Sequence, residues 1–118
     1  MKMNYFVLGT DDLEQASNFY NALFDGQGLH SVAASERMTY WLGDDFAFAL
    51  ALPFDGKPAT NGNGTMLGVS VGSPEAVDRM HARALELGAQ DEGAPGPRGP
   101  KYSAYIRDRD GNKLCLSD

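Results

Sequence analysis

Residues 105–114 read YIRDRDGNKL, and this stretch decides the fold of the second half of the chain. A strand leads into Asp110-Gly111, which supplies the left-handed backbone that a tight hairpin turn needs. In the strand that follows, Leu114 and Leu116 face one way and Cys115 faces the other. The chain therefore ends in a hairpin with one apolar face.

The elements upstream of this hairpin follow an order that occurs twice. Residues 3–9 predict a buried strand, and a helix follows in which Asp11 caps the free amides and Glu14 completes a capping box. Residues 66–71 predict a second strand, and Ser73-Pro74 is a strong helix start. Each half then continues with two or three strands, which predicts a duplicated βαβββ unit.

A fixed shift along the chain relates the two halves. A shift of 63 residues places the first strand on the second, and a shift of 64 places the apolar stripe of one helix on that of the other. The same shift of 64 pairs Trp41 with Tyr105. Aromatic residues at matching positions suit either a ligand cavity or a hydrophobic core.

Two glycine-rich segments interrupt this pattern. Residues 54–64 (FDGKPATNGNG) link the halves and predict a loop. Residues 93–100 (GAPGPRGP) contain too much proline for regular structure, so they also predict a loop. That second loop is either a plain connector or a cover over an opening. In a predicted strand at residues 46–52, alternate alanines form either the floor of a cavity or a close helix-packing surface.

Length and composition predict one small globular domain. The chain has 118 residues, of which 42% are hydrophobic and 22% are charged, so a disordered tail, a collagen-like chain and a coiled coil are excluded. No apolar run approaches the roughly 18 residues that a membrane span needs. The first residues lack the pattern of a signal peptide, and the single cysteine is compatible with a reducing compartment. We therefore expect a cytoplasmic protein without a membrane partner.

Charge and cysteine content narrow the range of partners. Lys and Arg number 10 and Asp and Glu number 16, and the net charge of −6 disfavours nucleic acid as a partner. The single cysteine, Cys115, excludes an intrachain disulfide. Two histidines and one cysteine are too few for a usual structural zinc site.

Four segments together resemble the glyoxalase, bleomycin-resistance and extradiol-dioxygenase superfamily, also called vicinal oxygen chelate proteins. They are residues 105–114, residues 8–20, residues 53–60 and residues 93–99. The resemblance implies an α+β fold in which two βαβββ modules form a U-shaped, partly open mixed β-barrel with the helices outside. It implies one domain over residues 1–118, with module one at about 1–55, a linker at about 54–64 and module two at about 65–118. It also implies a homodimer.

In metal-using members, the resemblance places a histidine on the first strand, a histidine on the fifth strand and a glutamate on the last strand around a divalent ion. Those positions fall on Tyr5, Met66 and Cys115 here. A phenol, a thioether and a thiol do not suit such an ion, so we expect no metal and no cofactor. His30 is expected in a loop and His81 at the surface or boundary of the second helix, so neither replaces the missing ligands.

Seven residues are candidates for contact with a small-molecule ligand. Tyr5, Met66 and Cys115 occupy the ligand positions implied by the resemblance, and Trp41 and Tyr105 would offer aromatic surfaces. Arg98 and Lys101 would contact an anionic ligand. Each also has a purely structural interpretation: a core aromatic, an apolar contact, a buried thiol or a solvated loop cation.

Three functional hypotheses follow from these residues. The first is a protein that binds or sequesters a small molecule without a metal, as bleomycin-resistance proteins do. The second is a lactoylglutathione-lyase-like or dioxygenase-like enzyme with a divergent metal site, for which His30, Glu36 and Asp45 are candidate ligands. The third is a metal-free enzyme that uses Cys115 or Tyr5. We favour the first, and whether the protein is an enzyme stays open, because a fold does not fix a function.

Overall fold

The computed structural model describes residues 1–118, which form two helices and eight strands. In chain order the elements are β1 (Tyr5–Gly9), α1 (Leu13–Leu23), β2 (His30–Ala33), β3 (Met38–Leu42), β4 (Ala47–Ala51), β5 (Leu67–Ser70), α2 (Pro74–Glu86), β6 (Gln90–Arg98), β7 (Lys101–Arg107) and β8 (Lys113–Ser117). The chain divides into two compact units, residues 1–61 and residues 62–118. Each unit follows the order βαβββ, so the predicted α+β class and the two βαβββ modules are confirmed.

Both units build the same kind of sheet. The strand order is β1-β4-β3-β2 in the first unit and β5-β8-β7-β6 in the second. In each sheet the first and last strands of the unit pair in parallel, and the other neighbours pair antiparallel. Each sheet is therefore mixed and open, with two free edges.

An aromatic cluster fixes α1 on the first sheet. Tyr20 on α1 is fully buried, and its ring lies 4.7 Å from the Phe48 ring and 5.9 Å from the Trp41 ring. The Trp41 indole N–H also donates to the side-chain oxygen of Asn21 at 2.9 Å. Aromatic pairs at these separations add about 0.5–1.5 kcal/mol each beyond the burial of their surface, so this cluster anchors the helix.

The N-terminal cap of α1 differs from the prediction by one residue. Asp12, not Asp11, caps the helix, because its carboxylate accepts a hydrogen bond from the Gln15 amide at 3.0 Å. The carboxylate of Asp11 instead accepts from the Ala59 amide at 2.6 Å and so ties the linker to the start of the helix. The predicted cap of α2 is confirmed, since the Ser73 hydroxyl accepts from the Ala76 amide.

The helix α2 covers the second sheet, whose Leu114 and Leu116 are fully buried. Val77 and Ala84 of α2 are fully buried as well. The expectation that His81 lies at the surface or boundary was wrong, because the residue is only 7% exposed and its Nε2 lies 3.1 Å from a carboxylate oxygen of Asp91. This polar partner makes the burial of an imidazole tolerable.

Two segments that were predicted to be loops are strands. Residues 93–98 belong to β6. This strand lies at the edge of the sheet and pairs only with β7. Its register shifts at two places, between Asp91 and Gly93 and again between Gly93 and Gly96. Prolines are tolerated at such edges and bulges because no ladder amide is required there. His30 likewise begins the edge strand β2.

Both helices are short. They contain 11 and 13 residues, and neither is long and apolar enough to cross a bilayer.

Candidate functional site

In the first unit, one face of the sheet is not covered by α1. Because Phe48 points toward the helix, the alternating residues of β4 point the other way. The alanine row at Ala47, Ala49 and Ala51 therefore does not pack against α1, although Ala49 and Ala51 are buried by other neighbours. Tyr5 lies on the same uncovered face as the alanine row and is 54% exposed.

A cavity of about 400 Å³ opens at one end of this face. Val7 and Ala51 contribute to its wall, and the linker closes it with residues 52–55 and 58–60. Arg37 also lines it, and its guanidinium donates to the Leu52 carbonyl at 2.8 Å and stacks 5.5 Å from the centre of the Phe54 ring. The small side chain of Ala51 thus contributes to a real opening.

The strand register corrects the predicted match between Trp41 and Tyr105. Met38 pairs with Ala51, the last residue of β4, and Ser103 pairs with Ser117, the last residue of β8. Met38 and Ser103 therefore correspond, and the strands β3 and β7 are related by a shift of 65 rather than 64. The counterpart of Tyr105 is consequently Tyr40.

Trp41 belongs to the core of the first unit. It is only 2% exposed, and it faces α1 rather than the uncovered side of the sheet. Tyr40 does lie on the uncovered side, where its ring meets the Tyr5 ring edge-on at 6.0 Å. Sequence reasoning chose the wrong one of two adjacent aromatic residues, because one residue of register reverses the face.

The second unit also has an uncovered sheet face, and Cys115 lies at its centre. Cys115 pairs with Tyr105 on one side and with Gly68 on the other, so these three residues form one row across the sheet. Met66 directly precedes β5 and is 45% exposed. A Cβ atom added at Gly68 would meet nothing within 4 Å, so the floor beside Cys115 is open.

Two cations flank the Tyr105 ring in this row. The guanidinium carbon of Arg98 lies 4.9 Å from the ring centre, and Nζ of Lys113 lies 5.1 Å from it. Gly93 packs against the same ring, because a Cβ atom there would come within 2.8 Å of a Tyr105 ring carbon. Tyr105 is therefore held in place by its neighbours on both adjacent strands.

Arg98 and Lys101 are more constrained than freely solvated loop cations. The Arg98 guanidinium donates to the backbone carbonyls of Ser103 and Ala94, and so it bridges the irregular part of β6. Lys101 donates to the backbone oxygen of Asp118 at 2.8 Å. Arg98 thus stabilises the edge strand β6, while Lys101 ties the start of β7 to the residue that follows β8. Of the two, only Arg98 also lies against the Tyr105 ring.

Several other polar and charged side chains of the second unit have partners. Arg107 donates to Glu92 at 2.6 Å, and the Tyr102 hydroxyl donates to Asp78 at 2.7 Å, which raises the pKa of Tyr102. The Gly93 amide, followed by His81, lowers the pKa of Asp91. By contrast, no ion pair joins Lys113 or Arg98.

The positions that the resemblance assigns to metal ligands do not fit a divalent ion. Tyr5 lies in the first unit, while Met66 and Cys115 lie in the second, and none of the three offers an imidazole or a carboxylate. The substitute candidates His30, Glu36 and Asp45 are all exposed, and Asp45 pairs with Lys2 at 3.2 Å. No group of three or more His, Cys, Asp or Glu side chains in the structure could hold a metal ion.

Sequence reasoning missed three residues of these faces. Lys113 was not among the predicted ligand contacts, although its contact with Tyr105 follows from the cross-strand pair Tyr105–Cys115. Gly93 carried no signal beyond its place in a glycine-rich segment. Arg37 gave none, because its role depends on how the linker folds back.

Comparison with known proteins places this geometry in a family. A family model described as the glyoxalase/bleomycin resistance protein/dioxygenase superfamily matches residues 2–116. The chain belongs to this superfamily. A glyoxalase/bleomycin resistance protein from Albidiferax ferrireducens is 36% identical, with 98% of this chain and 96% of that chain covered and a TM-score of 0.91. A search of proteins with curated functions found no match.

Superfamily members of similar fold carry different names. A fosfomycin resistance protein from Mesorhizobium loti is 23% identical, with a TM-score of 0.68 and coverage of 99% of this chain and 89% of that chain. A lactoylglutathione lyase from Agrobacterium tumefaciens is 24% identical, with a TM-score of 0.70 and coverage of 98% and 91% respectively. At these identities the likeness concerns the fold alone, so the activity has to be argued from the side chains.

Proposed function

We propose that this superfamily member binds or sequesters a small molecule without a divalent ion, in the manner of bleomycin-resistance proteins. The observation that carries the proposal is the donor set at Tyr5, Met66 and Cys115. The chain belongs to the superfamily, and the three positions that the resemblance assigns to metal ligands carry a phenol, a thioether and a thiol. A neutral phenol and a thioether are poor ligands for a hard or borderline cation, and a single cysteine is fewer than the three or four protein ligands that a zinc site uses.

The uncovered sheet faces supply further support for ligand binding. The first unit presents an exposed Tyr5 and a cavity of about 400 Å³, which is within the size range of small-molecule pockets. The second unit presents Tyr105, Cys115 and an open glycine floor. We also propose that the protein is a homodimer, as the resemblance implies.

A restored-ligand variant tests the metal part of this proposal. The triple substitution Tyr5→His, Met66→His and Cys115→Glu rebuilds the histidine, histidine and glutamate set at the three positions. Isothermal titration calorimetry with Zn²⁺, Ni²⁺ and Mn²⁺ should show one ion bound per site in the variant and no specific binding in the wild-type protein. Circular dichroism confirms that the variant is folded.

Each result of this experiment has a definite meaning. Tight, stoichiometric metal binding by the wild-type protein would overturn the proposal and favour the divergent lyase or dioxygenase. If the folded variant also binds no metal, the assignment of the three positions is wrong. If a substrate is found, a Cys115→Ala or Tyr5→Phe variant with lost turnover would favour the metal-free enzyme instead.

A further inference from the structure

We propose that the uncovered face of the second sheet binds a small organic anion, with the charged group at Lys113 and the apolar body over Cys115 and Gly68. This proposal rests on the proposed function above and names the class of ligand. It adds Lys113 to the site as the residue that contacts the anion.

The charge distribution around the Tyr105 ring favours an anion. Lys113 and Arg98 lie about 5 Å from the centre of the same Tyr105 ring, so the two cations are at most about 10 Å apart. No ion pair joins either of them, although the chain carries six more acidic than basic residues. Arg98 acts electrostatically on the Asp91 carboxylate, whereas no ion pair joins Lys113. A bound anion would offset the repulsion between the two cations.

Hydrogen-bonding capacity separates the roles of the two cations. Arg98 donates to the backbone carbonyls of Ser103 and Ala94, so much of its capacity is committed to the sheet edge. The ammonium of Lys113 contacts the Tyr105 ring but makes no hydrogen bond within the protein. Lys113 is therefore the donor that is available to an anion, while Arg98 contributes its charge.

The shape of the sheet face leaves room for the apolar part of such a ligand. Cys115 is partly exposed, and its neighbour across the parallel pair is Gly68, which has no side chain. A Cβ atom at Gly68 would have no neighbour within 4 Å, so space extends beyond the thiol. The row from Tyr105 to Gly68 thus provides an apolar floor with a cation at its side, which suits an anion carried on a flat apolar body.

The position of the Tyr105 ring is fixed by its neighbours in the sheet. Gly93 leaves room for the ring on one side, and the cross-strand pair with Cys115 fixes its backbone on the other. The Tyr105 ring in turn positions the Lys113 ammonium through a cation–π contact. The long-range repulsion expected from the net charge is weak here, because solution ions screen it beyond about 8 Å at physiological ionic strength.

Three naphthalene compounds of similar size test the charge preference. We would titrate the full chain with 2-naphthoate, with the neutral 2-naphthamide and with the cationic 2-naphthylmethylammonium, using isothermal titration calorimetry. We expect 2-naphthoate to bind at least about tenfold more tightly than the amide, because a charge-assisted hydrogen bond replaces a neutral one. The ammonium compound should bind most weakly.

A pair of charge-matched variants locates the site. Lys113→Gln should weaken 2-naphthoate binding by about tenfold and leave 2-naphthamide binding unchanged. Arg79→Gln removes the same charge from an exposed position on α2 of the same unit, and it should leave both affinities as in the wild type. If Lys113→Gln does not fold, Lys113→Met, which keeps an unbranched side chain of similar length without the charge, replaces it with the same expected pattern.

The contradicting outcomes are distinct from those of the proposed function. Equal affinity for the anion and the amide, equal effects of Lys113→Gln and Arg79→Gln, or no binding of any of the three compounds would each overturn the anion site. Metal-free ligand binding could still stand in those cases, because its own test is the metal titration. Conversely, a wild-type protein that binds metal tightly would overturn the proposed function whatever the naphthoate result.

Discussion

The turn between β7 and β8 depends on one buried carboxylate, and removing it should strongly destabilise the second unit. Asp108 is 6% exposed. Its carboxylate accepts hydrogen bonds from the amides of Asp110 and Asn112, both at 2.9 Å, and from the Asn112 side chain at 3.1 Å. This turn joins the strand of Tyr105 to the strand of Cys115, so it holds the candidate site together.

The expected cost follows from these hydrogen bonds. Each bond to a charged group contributes about 1.5–3 kcal/mol, and donors that stay buried without a partner add to the loss. Because water reaches part of the turn and the contributions are not fully additive, we expect Asp108→Ala to lower the free energy of unfolding by about 3–5 kcal/mol. Asp108→Asn keeps the shape and one acceptor oxygen, so it should cost about 1–3 kcal/mol.

Urea denaturation followed by far-ultraviolet circular dichroism measures these values. Arg79→Ala is the control, because Arg79 is an exposed residue of α2 in the same unit and its removal should change stability by less than about 0.5 kcal/mol. If Asp108→Ala is as stable as Arg79→Ala, the buried carboxylate does not organise the turn and the reasoning fails. An Asp108→Asn variant less stable than Asp108→Ala would contradict the argument as well.

Three further predictions test other parts of the structure. Trp41→Phe removes the indole bond to Asn21, so the unfolding free energy should fall by about 1–2 kcal/mol, while 2-naphthoate affinity, measured by calorimetry, stays unchanged; a loss of affinity would return Trp41 to the site. The Gly93 amide and His81 lower the pKa of Asp91, so its contribution is complete above about pH 4 and is lost as the pH falls through the lowered pKa. Asp91→Asn should therefore be less stable than the wild type at pH 7 and approach it below about pH 3 in urea denaturation; a constant difference between pH 7 and pH 2 would count against this. Sedimentation equilibrium should give twice the mass of one chain, and a single-chain mass would exclude the proposed homodimer.

The local signals in the sequence predicted the elements that depend on local chemistry. The Ser73-Pro74 helix start, the Gly111 turn and the alternation along β8 all depend on neighbouring residues, and the structure confirms them. The predicted cap of α1 was wrong by one residue. Asp11 and Asp12 are both suitable cap residues, and the sequence does not show that Asp11 instead accepts from the distant Ala59 amide while Asp12 caps the helix.

The features that the sequence did not predict depend on partners distant in the chain. The strand β6 forms despite two prolines because it is an edge strand with register shifts, which is a property of the whole sheet. The face of Trp41 depends on the register between strands, and the burial of His81 depends on Asp91. In the candidate site, the sequence alone identified Tyr5, Met66 and Cys115 as candidates. The role of Lys113 could be inferred only once the position of the Tyr105 ring was known.

The metal content of the wild-type protein tests the central claim most directly. The protein would be purified without chelators from cells grown with added zinc, nickel, manganese and iron, dialysed, and measured by inductively coupled plasma mass spectrometry. Because Tyr5, Met66 and Cys115 provide no suitable ligand set, we predict far less than one ion of any of these metals per chain. One equivalent of a single metal that survives dialysis would contradict the account.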